Sequence, residues 1–165
     1  MTITSKTAYA DFEQYESVLT PESVQEIQHA AQEYFKPYYM LTLNEFLGLL
    51  QKDFQLLGDL KEPSVLQVYW LKGWKSFLED FTKTCETLNE KDPNAEALQD
   101  GCVKLQPEEN MLIFVREYFG LQSFTEAGEV TIGEYVLARK DRFNQNRMRR
   151  NFEAQQIKKL KSKKR

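Results

Sequence analysis

The sequence predicts an all-α protein, an irregular bundle of about five to six helices with a long basic C-terminal helix extending from the body. Three observations carry that expectation. Apolar residues recur three and four apart in most segments, Gly (7) and Pro (5) are few among 165 residues, and β-branched residues seldom occur in runs. Hydrophobic residues make up 41 % of the chain, and 11 Phe, 8 Tyr and 2 Trp supply bulky material for a single core.

Residues 7–19 place Tyr9, Phe12, Tyr15 and Leu19 at helical spacing, so a short amphipathic helix is expected there. Thr20-Pro21 starts the next helix with Pro at its first position. That helix should turn Val24, Ile27, Ala31, Tyr34 and Phe35 inward and stop at Lys36-Pro37. Thr42 and Glu45 have capping-box spacing, with Leu41 and Phe46 placed as a hydrophobic staple. Leu43, Phe46, Leu47, Leu50, Phe54 and Leu57 then read as one stripe ending at Gly58-Asp59. Gly48 interrupts it at a propensity cost of about 1 kcal/mol, for which close helix packing is one reason.

Pro63-Ser64 opens the longest apolar-rich helix, 64–88, whose Leu66, Tyr69, Trp70, Trp74, Phe77, Leu78, Phe81, Cys85 and Leu88 cover more than one stripe. Such breadth suits a central helix contacted from two sides. Trp70 and Trp74 share a face, either as a core pair or as a groove for a helical partner. Residues 89–110 are polar and twice interrupted by proline, with a turn of helix expected at 94–99 and Gly101 as its cap. A helix at 108–119 should bury Met111, Leu112, Val115, Tyr118 and Phe119 and stop at Gly120. After a turn at 121–129, Thr131 and Glu134 repeat the capping box and Val130 and Tyr135 the staple. The last helix should dock through Ile132, Tyr135, Val136 and Phe143, continue outward, and fray near its end.

Charge divides the chain in two. Residues 139–165 hold twelve of the 22 Lys and Arg, opposed only by Asp141 and Glu153, for a net +10; residues 1–138 carry −13. The expected organisation is therefore an acidic helical body, 1–138, and a basic helical extension, 139–165. Catalytic chemistry has little to draw on. The single histidine, His29, sits with Glu26 and Glu33 on one helical face, and neither HExxH, GxSxG, GxGxxG nor a P-loop occurs. Cys85 and Cys102 form no CxxC. No metal, cofactor or enzymatic activity is expected. With no apolar stretch of signal-peptide or membrane-spanning length, the expectation is a cytoplasmic protein that does not use a membrane.

The basic segment admits several uses. Arg147, Arg149, Arg150, Lys158 and Lys159 can dock electrostatically on an acidic protein surface, including that of a neighbouring copy. Nucleic acid is an alternative through residues 139–165, although the acidic body repels a long duplex and no reading module is present. A merely solubilising tail is the third.

Three stretches, MLTLNEFLGLLQKDF at 40–54, VLQVYWLKGWKSFLEDF at 65–81 and VTIGEYVLARKDRF at 130–143, together resemble small helical proteins of tailed-phage morphogenesis, in particular tail assembly chaperones. The resemblance touches about a quarter of the chain; the basic end and the Trp-rich central helix are this chain's own. It implies a non-enzymatic cytoplasmic factor that binds the helical tape-measure protein during tail assembly, and it assigns no residue a role. The residues that the chain itself offers for partner binding are Trp70 and Trp74 for a helical partner and Arg147, Arg149, Arg150, Lys158 and Lys159 for charge.

Overall fold

Two short backbone pairings tie the helix starts together and set the architecture. The first-turn N–H groups of any helix lack intrahelical acceptors, and here helices supply them to one another. Leu43 N–H donates to Val130 O (2.9 Å) and Ile132 N–H to Leu41 O (2.8 Å), an antiparallel bridge between Thr42 and Thr131. Tyr9 N–H donates to Pro63 O and Val65 N–H to Thr7 O (both 2.9 Å), bridging Ala8 and Ser64. Leu41, Leu43, Val65 and Ile132 are thereby driven fully into the core.

The computed structural model describes residues 3–89 and 107–162. Among them are seven α-helices: α1 Tyr9–Phe12, α2 Pro21–Tyr34, α3 Leu43–Leu50, α4 Val65–Leu88, α5 Pro107–Phe119, α6 Phe124–Gly128 and α7 Ile132–Ser162. Single 3-10 segments lie at Glu13–Val18, Tyr38–Met40 and Gln55–Leu57. The fold is an irregular all-α bundle, as expected. The helix expected at 94–99, its Gly101 cap and Cys102 lie outside the described residues.

The caps follow the sequence closely. Thr20 Oγ1 accepts from Ser23 N–H, and full capping boxes stand at Thr42/Glu45 and Ser64/Gln67. Thr131 and Glu134 bond reciprocally at the start of α7. At Thr42 the box is reinforced, because Lys36 Nζ reaches both oxygens of Glu45 (2.8 and 2.7 Å). Burial raises the Glu45 carboxyl, but Lys36 and the Thr42 N–H outweigh it and hold it below the usual carboxylate range.

α4 is the central helix, with α2 on one side and α7 on another. Its inward residues form an aromatic ladder. Trp70 and Trp74 stack at 5.9 Å and 9°, Phe46 meets Trp74 and Phe81 edge-on or tilted, and Phe81 meets Tyr135 of α7. Tyr38 is inserted between Trp70 and Phe77, its hydroxyl donating to Trp70 O (2.8 Å). Trp70 Nε1 donates to Lys36 O (2.9 Å), so every buried side-chain polar atom among the described residues has a partner. Burial alone pushes the Tyr38 hydroxyl far above the ordinary phenol range.

Several local expectations need correction. The 7–19 helix is one α-turn followed by a 3-10 segment, because only Phe12, edge-on to Tyr69, is buried; Tyr15 and Val18 face solvent. Tyr34 is 59 % exposed, and its expected inward place is taken by Tyr38 beyond the helix end. The 43–57 stripe breaks at Leu50. Lys52 adopts φ +64°, Asp53 N–H donates back to Gly48 O, and Leu49 rather than Leu50 is buried. Gly48 is therefore a helix-end carbonyl and not a close-packing site; an added Cβ would meet Asp53 at an ordinary 3.8 Å. Phe119 is largely exposed and Phe114, stacked on Tyr118 and edge-on to Tyr135, takes the inward place. The 121–129 turn contains α6, opened by a Ser123/Glu126 capping box.

Candidate interaction surface

Residues 132–143 root α7. Ile132, Tyr135, Val136 and Ala138 are buried against the bundle. Arg139 lies over the Phe114 ring and donates to Asn89 Oδ1 (2.6 Å). That places a cation at the carboxyl end of α4, the negative end of its dipole. Arg142 lies over Tyr118, whose hydroxyl donates to Asp141. Phe143 is the last half-buried residue, and α7 runs unbroken through the 138/139 charge boundary.

From 144 to 162 every residue is exposed. The segment stays helical because Arg, Lys, Gln, Glu and Ala dominate it and no Gly or Pro interrupts it. Arg149 pairs with Glu153 at i,i+4 (3.2 Å) and Gln145 donates to Asp141 (2.6 Å). At 31 residues, α7 spans about 46 Å. Its exposed part carries Arg147, Arg149, Arg150, Lys158, Lys159 and Lys161 against Glu153.

Large apolar side chains stand among these charges. Met148, Phe152, Ile157 and Leu160 are all more than half exposed, as is Leu137 near the root. At about 100° per residue, Leu137, Met148 and Phe152 share one face while Ile157 and Leu160 lie towards the other. Leu137 also borders a cleft of about 240 Å³ where α7 leaves α4, lined by Tyr39, Phe81, Thr84, Gly133, Val136, Leu137 and Lys140.

The residues selected from the sequence thus separate into two groups. Arg147, Arg149, Arg150, Lys158 and Lys159 are displayed on the projecting helix. Trp70 and Trp74 are 0 % and 7 % exposed, so the face they share is an internal seam and not a partner groove. Met148, Phe152, Ile157 and Leu160 are spaced too loosely in the sequence for a core stripe, and all four are exposed. The face shared by Leu137, Met148 and Phe152 is visible once the segment is known to be one continuous helix.

His29 is exposed and lies 3.3 Å from Glu33 of the same helix. Among the described residues no three metal-ligating side chains converge, and no helix is long and apolar enough to cross a membrane. Burial pushes the Cys85 thiol up, with Arg139 partly opposing it. Comparison of the chain with protein-family models, with curated proteins and with solved structures finds no match in any of the three.

Proposed function

We propose that the chain is a non-enzymatic cytoplasmic assembly factor that holds another protein on the distal part of α7. More particularly, we propose a tail assembly chaperone of the tailed-phage kind, accompanying a long helical partner. One observation supports this above others: residues 144–162 form nineteen consecutive exposed helical positions that mix basic and large apolar side chains. A helix of that length gains little from propensity alone in water and is stabilised when a partner covers it. Interleaved Met148, Phe152, Ile157 and Leu160 favour a protein surface over bare phosphates, which would use the cations and leave the apolar groups wet. The acidic body disfavours a long duplex in the same way.

The test is co-expression with the neighbouring genes, followed by nuclease treatment and affinity capture. A helical protein should be recovered, released by salt, and lost from a chain truncated after Phe143. Recovery of nucleic acid alone, or recovery unaffected by the truncation, would remove α7 from the mechanism.

A further inference from the structure

α2 and α7 carry complementary charge in one register. On α2, Glu22, Glu26 and Glu33 are exposed at intervals of four and seven residues, which puts them on one line of the helix. On α7, Arg147, Asn151 and Lys158 are exposed at the same intervals of four and seven. Each line spans eleven residue steps, about 16 Å. Neither is covered among the described residues: the α2 line lies opposite buried Ile27 and Ala31, and the α7 line lies beyond Phe143, the last half-buried residue of the helix. Glu33 has His29 beside it at 3.3 Å, an exposed pair that a cation from outside can join.

We propose that α7 of one copy docks along the acidic line of α2 on a second copy. A parallel alignment places Arg147 opposite Glu22, Asn151 opposite Glu26 and Lys158 opposite Glu33. An antiparallel alignment still sets Arg147 against Glu33 and Lys158 against Glu22. The charge balance of the whole chain agrees, since a +10 segment meets a −13 body in each contact. Every copy presents both lines, so two copies can exchange arms reciprocally or the contact can run head-to-tail, and the mean mass rises with concentration in both arrangements. Exposed ion pairs are individually weak and screened by salt, so the association is reversible and salt-labile. It is separate from the foreign-partner reading above and concerns what occupies α7 when the protein is alone.

The experiment is sedimentation velocity on the purified, nuclease-treated full chain. At about 0.02 M salt the mean mass should rise with concentration, and at about 0.5 M, where screening falls to a few ångströms, it should return to the monomer. Two full-length charge variants, Glu22→Lys/Glu33→Lys and Arg147→Glu/Lys158→Glu, should each be monomeric at low salt. Both alter exposed helical positions, and unchanged circular dichroism and melting temperature establish that they fold. Mixing the two should restore association, because the reversed lines again match. A wild-type monomer at low salt overturns the proposal, as do association indifferent to salt and a mixture that remains monomeric. Since no foreign protein is involved, these results are independent of the capture experiment.

Discussion

At the scale of single residues, two glycines in helices show how the same substitution takes opposite signs. Gly73 faces the hydroxyl of Tyr38 across the bundle, and an added Cβ would collide with it. Tyr38 cannot retreat cheaply, being packed among Trp70, Trp74 and Phe77 and bonded to Trp70 O. Gly48 faces only ordinary contact space near the end of α3. Gly73→Ala should therefore destabilise the fold by about 1–3 kcal/mol through overpacking. Gly48→Ala should stabilise it by roughly 0.5–1 kcal/mol, because the unfolded chain loses more freedom than the folded one. Urea unfolding checks both, with shifted midpoints and unchanged slopes expected. A destabilised Gly48→Ala would mean that α3 packs more tightly there than its geometry indicates.

At the scale of elements, α7 is two objects joined end to end. Its root shares buried side chains with α4 and α5, whereas residues 144–162 contribute none to the core. Amide exchange should accordingly be slow across Tyr135–Phe143 and fast beyond about Arg147, where opening costs little. Truncation after Phe143 should leave the melting temperature within a few degrees, the shift expected of roughly 0.5 kcal/mol or less. A large loss would show that the distal segment packs on the body in solution. Helix starts of this kind were legible because caps are local chemistry: Thr20-Pro21, Thr42/Glu45, Ser64 and Thr131/Glu134 each announce themselves within four residues. The stop at Gly120, with φ +66°, was legible for the same reason. What failed depended on distant partners. Periodicity makes Tyr34 and Leu50 look internal, but Tyr38 fills the space beside Trp70 and Trp74, and the left-handed turn at Lys52 ends the α3 stripe. Spacing favours a seam over a groove for the Trp70/Trp74 face, and Tyr38 and Phe46 lying on it make it the seam. The α6 helix was within reach, since Ser123 and Glu126 carry the same capping spacing as the helices already recognised.

At the scale of the whole molecule, the decisive property is that charge is separated in space and not only in sequence. A net charge of −3 at pH 7 describes a body and an arm of opposite sign, and the arm projects instead of folding back. An average charge predicts a protein that ignores a sulfonate surface, whereas a projected basic helix predicts one that binds it through the arm alone. Residues 144–165 contain nine basic side chains and one acidic, so removing their +8 leaves residues 1–143 at −11. The intact chain should therefore be retained on a sulfonate exchanger at pH 7 and low salt despite its negative sign. The chain truncated after Phe143 should pass through it and bind a quaternary-ammonium exchanger more tightly than the intact protein does. Both retentions should weaken steeply with salt, as interactions of exposed charges do. Free passage of the intact chain through the sulfonate column would mean that its own acidic surface neutralises the arm. The salt needed for release then gives a direct scale for the docking strength of α7, against which acidic protein surfaces and nucleic acids can be ranked.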